Sequence, residues 1–195
     1  MAVVGFMRKT NKAKAVKATT KTVSDDFLNG TKAEMWDNYV PFMYDDDKSI
    51  PKETPLIDSL EKEFTLKKLT NGRYTLIVRY SFMDCEMCVD TLLTHVEKLR
   101  KQTKYKDILV ITDSYSERDY LIKVTRFKRP FKIYNLPETR LGLSIENKNF
   151  PFMFVLTPDM RVTKIFVPIK EYSAQIDEYL NYTNEYISNA NSSIK

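Results

Sequence analysis

The chain has 195 residues, enough for one domain with appendages, and a formal net charge of +5. Residues 1–24 hold six of its 31 Lys and Arg residues and no acid, which leaves 25 basic against 26 acidic residues in the remainder. That balance argues against a basic nucleic-acid face on the folded part. Four glycines in all, with no Gly-rich loop, give no support to a phosphate-cradling nucleotide site.

The apolar run Met1–Met7 stops at Arg8 and is too short alone for a membrane span or a signal core. Two readings stand: the stump of a longer anchor or signal, or the start of an unstructured tail. Residues 1–30 read as a flexible basic segment, Lys-, Ala- and Thr-rich with few large apolar groups. Residues 31–69 read as a helical extension packing on the domain. Its aromatics Trp36, Tyr39 and Phe42 call for a partner surface, and Asp45, Asp46 and Asp47 form a solvated loop whose carboxylates diverge too far for a metal. Thr54 and Pro55 suit an N-cap and first helical position, and Leu56, Leu60 and Phe64 recur every four residues, so the spacing predicts a helix there.

Asn71-Gly72 is a turn, and Tyr74 to Phe82 is the almost continuous apolar run of a buried strand. Cys85 and Cys88 follow at once, and Val89, Leu92, Leu93, Val96 and Leu99 then keep helical spacing. Residues 107–112 make a second buried strand, 116–127 a helix capped by Ser116, and 131–134 a short strand. After an irregular stretch over 136–149, strands at 152–156 and 162–167 flank the turn Thr157-Pro158-Asp159-Met160. A last helix spans 171–187 with Ile176, Tyr179, Leu180 and Tyr186 inward, and the tail from Ser188 frays. The whole is an α/β chain: a central mixed sheet flanked by helices, with the domain proper over 70–188 and a tail over 189–195.

The cysteine pair admits three readings: a redox dithiol, part of a zinc site, or two small buried residues. Zinc needs three or four ligands, and the chain has two Cys and one His, His95, about 10 Å along the helix from Cys88. The order strand, Cys-x-x-Cys, helix favours the dithiol. A helix N-terminus stabilises a thiolate, and a second thiol one turn on can resolve a mixed disulfide.

The stretches LIVRYSFMDCEMC and NFPFMFVLTPDMRVTKIFVP, with the closing helix, resemble the thioredoxin superfamily over about residues 70–187. The likeness is greatest to TlpA/ResA-type thiol-disulfide oxidoreductases and to divergent Bacteroides-type thioredoxin-like proteins. The resemblance implies a thioredoxin-like fold with Cys85 as nucleophile and Cys88 as resolving thiol. It makes Pro151 a cis-proline facing them, with Phe150 beside it in the substrate groove. It also implies no cofactor, a disulfide-bearing protein substrate, an upstream thiol electron donor, and a periplasmic location with a possible N-terminal membrane tether.

The chain departs from that pattern in its modulating residues. Asp84 stands where a Trp is usual, and Glu86-Met87 where Gly-Pro is usual. Arg79 occupies the place of a buried acid. Asp84 and Glu86 add negative charge beside Cys85 and disfavour its thiolate, which makes the pair a reductant rather than an oxidant; Arg79 would act oppositely if it reached the thiols. A peroxidase would carry Thr, not Phe82, three residues before its cysteine. The alternative from another class is a non-catalytic binding module with a stable or inert cysteine pair. Met83, Met87, Phe82, Phe150, Phe152 and Met153 would then be either an apolar collar for a partner or ordinary core.

Overall fold

The structure, a computed structural model, describes residues 45–103, 107–114, 116–137, 140–169 and 173–194. The basic segment, the aromatics at 36–42 and the start of the extension lie outside the described residues.

Seven strands form one sheet in the order β2-β1-β5-β4-β3-β6-β7. β1 is Pro55–Ile57, β2 Glu63–Thr65, β3 Thr75–Tyr80, β4 Ile108–Thr112, β5 Ile133–Asn135, β6 Phe152–Leu156 and β7 Val162–Phe166. β3, β4 and β5 run parallel, while β6 joins β3 antiparallel with Arg79 opposite Phe152. The helices are α1 (Leu66–Thr70), α2 (Glu86–Thr103), α3 (Glu117–Phe127) and α4 (Ser173–Ser193).

Alternation along the strands sorts the core. Leu76, Val78 and Tyr80 of β3, Val110 of β4 and Met153 and Val155 of β6 pack with Leu92, Leu93 and Val96 of α2. Tyr120 of α3 and Ile176, Leu180 and Ile187 of α4 complete this layer. Truncating a fully buried member such as Leu92 costs about 2–5 kcal/mol. Ser116 caps α3 as its sequence suggests, accepting from the Asp119 N–H. The turn at 157–160 closes the β6–β7 hairpin through Thr157 N–H to Arg161 O and Met160 N–H to Thr157 O.

Three expectations give way. Residues 54–65 are not a helix but a hairpin, β1 pairing with β2 and joining β5 at Ile57–Asn135. The cause is Asp58, whose buried Oδ1 accepts from the backbone N–H of Leu60 and Lys62 and turns the chain there. Leu60, one of the three residues that keep the helical period, is 82 % exposed. The tail does not fray at Ser188, because α4 runs to Ser193. Asn191 bonds both backbone groups of Tyr74, donating to its carbonyl and accepting from its N–H. The acidic run is not simply solvated either. Asp45 is buried and accepts from the Ser144 N–H and hydroxyl, Asp46 accepts from the Lys164 N–H, and Asp47 pairs with Arg161. Three divergent carboxylates thus stitch residues 45–50 to the β7 edge and to the 140–147 segment.

Candidate functional site

The carboxyl ends of β3 and β4 hold the cysteine turn. Ser81 to Asp84 close a β-turn by Asp84 N–H to Ser81 O, and the Asp84 carboxylate accepts back from the Ser81 N–H at 2.8 Å. Asp113, just past β4, accepts from the Phe82 N–H at 3.0 Å. The turn therefore hangs on two carboxylates, one its own and one from the next strand.

Cys85 is the N-cap of α2: its carbonyl accepts the first helical bond, from Val89 N–H, and its side chain is exposed. Cys88, in the first turn, is partly covered. N-cap and third helical position are where side chains approach each other across a helix start, so the two sulfurs lie close at the positive end of an 18-residue helix. Among the described residues no group of three or more His, Cys, Asp or Glu side chains is arranged to hold a metal. His95 points to α4 and pairs with Asp177 at 2.7 Å.

The modulating residues divide. Arg79 is buried and held by Asp113 at 2.7 Å, by Glu146 at 3.4 Å and by the Tyr80 carbonyl. Alternation puts it on the sheet face away from α2, under the 140–147 segment. Glu146 is itself fixed by the backbone N–H groups of Leu141, Gly142 and Leu143. Burial alone would raise the Asp113 carboxyl, but the Arg79 charge and the bonds it accepts hold it below the ordinary value. Glu86 is exposed and pairs with Arg126 of α3 at 2.7 Å.

Asp84 is different. It is 8 % exposed, its Oδ1 is buried without a hydrogen-bond partner, and among the described residues no arginine is bonded to it. Burial pushes its carboxyl up to about 6. The Ser81 N–H and the Arg79 charge offset this only in part, and Asp113 adds to it. The negative charge expected beside Cys85 is thus one that titrates near neutrality. Beneath the turn a cavity of about 100 Å³ is lined by Tyr80, Phe82, Asp84, Lys123 and Arg126 among others. Lys123 Nζ lies 5.4 Å from the Phe82 ring, and burial lowers its pKa against the pull of Asp113 and Asp84. Asp113, Lys123, Arg126 and Glu146 escape the sequence reading. The one local signal was Lys123 and Arg126 at i, i+3 on α3.

Phe150 and Pro151 reach the same end, since β6 runs antiparallel to β3 and starts opposite Arg79. Phe150 is 49 % exposed and Pro151 buried. No described peptide bond is cis, so the cis-proline expected at Pro151 is a trans one, just before β6, where a residue without an N–H is tolerated. The apolar collar splits. Met83 and Met87 are exposed with Phe150, whereas Phe152 and Met153 are core.

The sequence matches no family model and no curated protein. Solved structures do match. The thioredoxin domain of a thiol-disulfide oxidoreductase from Bacteroides vulgatus is 13 % identical with a TM-score of 0.51, covering 73 % of this chain and 97 % of that one. A thiol:disulfide interchange protein from Bacteroides sp. is 15 % identical with a TM-score of 0.53, covering 72 % and 89 %. A secreted disulfide oxidoreductase of Mycobacterium tuberculosis is 9 % identical with a TM-score of 0.50, covering 67 % and 96 %. At such identities the likeness is one of fold.

Proposed function

We propose that this chain, whose fold is that of the thioredoxin superfamily, is a thiol-disulfide oxidoreductase working through Cys85 and Cys88. The observation that carries the reading is the placement of an exposed Cys85 as N-cap of α2 with Cys88 in the same first turn. The Cys85 thiolate attacks a substrate disulfide, forming a mixed disulfide and expelling one substrate thiolate, which takes up a proton. The Cys88 thiolate then attacks the Cys85 sulfur, releasing the second substrate thiolate and closing the Cys85–Cys88 disulfide. Two electrons pass to the substrate, and an upstream thiol donor restores the dithiol by the same exchange.

Asp84 and Glu86 set the direction. Both are acids next to Cys85, and neither stabilises a thiolate, so the disulfide form is favoured and the pair acts as a reductant. Met83, Met87 and Phe150, exposed at the same end of the sheet, supply apolar contact for the polypeptide that carries the substrate disulfide, with Pro151 forming the groove floor. The resemblance to periplasmic reductases supports a periplasmic location, in which the family's N-terminal membrane tether would be expected. No described helix is long and apolar enough to cross a membrane.

The test is reduction of insulin disulfides by the dithiothreitol-loaded protein. Wild type accelerates it, Cys85→Ser abolishes the acceleration, and Cys88→Ser accumulates a mixed disulfide visible on a non-reducing gel. Equal behaviour of wild type and Cys85→Ser would sink the enzyme reading and leave the binding module.

A further inference from the structure

A second cleft opens at the carboxyl ends of β4 and β5, beyond the cysteine turn. Its volume is about 340 Å³, within the range of small-molecule sites. In an open sheet, the carboxyl ends of parallel strands are where ligands find unfilled space.

Its polar lining sets an unbonded amide oxygen and rim carboxylates beside serine hydroxyls. Asn135, the last residue of β5, is 7 % exposed, and its buried Oδ1 has no hydrogen-bond partner. The Ser114 hydroxyl, just past β4, is also buried without one. A buried amide oxygen left unbonded is destabilising, a cost removed by a ligand that brings a donor. At the rim Glu61 and Glu117 both line the cleft, and the neighbouring Glu61 carboxyl raises the proton affinity of Glu117. Glu61 is held there by a left-handed backbone, φ 59°, which a residue with a side chain rarely adopts. Among the described residues neither of these two acids has a basic partner. Asp58, also in the lining, is satisfied by backbone N–H groups and by Lys132 at 3.3 Å. The apolar part of the lining is Ile57, Leu121 and Pro137.

An unbonded buried amide oxygen, two rim carboxylates without a basic partner and an apolar wall favour one kind of ligand. We propose that the cleft is a binding site for a small primary alkylammonium compound. Its head group is held by Glu61, Glu117 and the Asn135 amide oxygen, and its chain lies against Ile57 and Leu121. An ammonium supplies three donors on a compact charge and relieves both the like-charge pair and the orphan acceptor. A neutral alcohol meets only the second need, and a carboxylate meets neither. The proposal is independent of the cysteine chemistry.

The test is an amide NMR titration of the full chain with n-pentylammonium, using n-pentanol and pentanoate as controls at matched ionic strength. The proposal expects saturable shifts at Ser114, Glu117 and Asn135 with the amine only, and about a tenfold loss of affinity in the Glu61→Gln/Glu117→Gln variant. Both substitutions are at exposed positions, so the fold persists. Ser114→Ala, which leaves the charges intact, keeps the preference for the amine. Equal shifts with pentanol, no saturation with the amine, or unchanged affinity in the double variant would each overturn it.

Discussion

Asp113 and Asp84 do the same local job and have opposite surroundings. Each accepts a backbone N–H of the turn before Cys85, from Phe82 and Ser81 respectively. Asp113 is matched by Arg79 at 2.7 Å and sits below the ordinary carboxylate value. Asp84 is more deeply buried, has one oxygen unbonded, and is pushed up to about 6. One region is scaffold, compensated on every side. The other, one residue from the candidate nucleophile, keeps a charge compensated only in part, as functional sites often do.

The largest effect should come from the compensated side. Arg79→Leu strands Asp113 and the buried Glu146 without a counter-charge, and urea unfolding should show a loss of about 3–5 kcal/mol. A loss under about 1 kcal/mol would mean that the cluster is not the anchor of the turn.

Asp84→Asn should do the reverse. A carboxyl whose pKa rises on folding binds more protons in the native than in the unfolded state, so its ionisation removes stability as pH climbs from about 4 to about 6. The Asn variant escapes that loss. It should match wild type near pH 4 and exceed it by about 2–3 kcal/mol at pH 7.5, the free energy of carrying a carboxyl pKa from 3.8 to about 6 on folding. A constant difference across that range would place the effect in packing instead. The same variant removes a negative charge beside Cys85 and should raise the dithiol potential by about 30 mV, a tenfold change in the exchange equilibrium.

The smallest effect belongs to Glu86. Its pair with Arg126 is exposed on both sides, so Glu86→Gln should shift stability by less than about 0.5 kcal/mol. A thermal melt resolves whether it does.

What the sequence revealed and what it concealed follow the range of the interactions. β3, the Cys-x-x-Cys turn and α2 were legible because an apolar run, a break and a helical period are local signals. The Ser116 cap and the 157–160 turn were legible for the same reason. The 54–65 hairpin was not: Leu56, Leu60 and Phe64 keep a helical period, yet Asp58 and the pairing of Ile57 with Asn135 override it. The end of α4 hid behind Thr183 and Asn191, polar members of a buried stripe, the latter bonded to Tyr74 across 117 positions. Arg79 looked like a stray charge because its partners Asp113 and Glu146 come from distant segments. Asp84 read as an ordinary ionised neighbour, since burial cannot be seen in a turn of a few letters.

The central claim is that Cys85 and Cys88 form an exchanging, reducing pair, and equilibration against glutathione and dithiothreitol buffers, followed by thiol alkylation and mass, tests it most directly. The account predicts a single two-electron transition at a potential below that of the glutathione pool, about −240 mV. A transition above it would contradict the reductant assignment, and the absence of any transition over hours would contradict the dithiol itself.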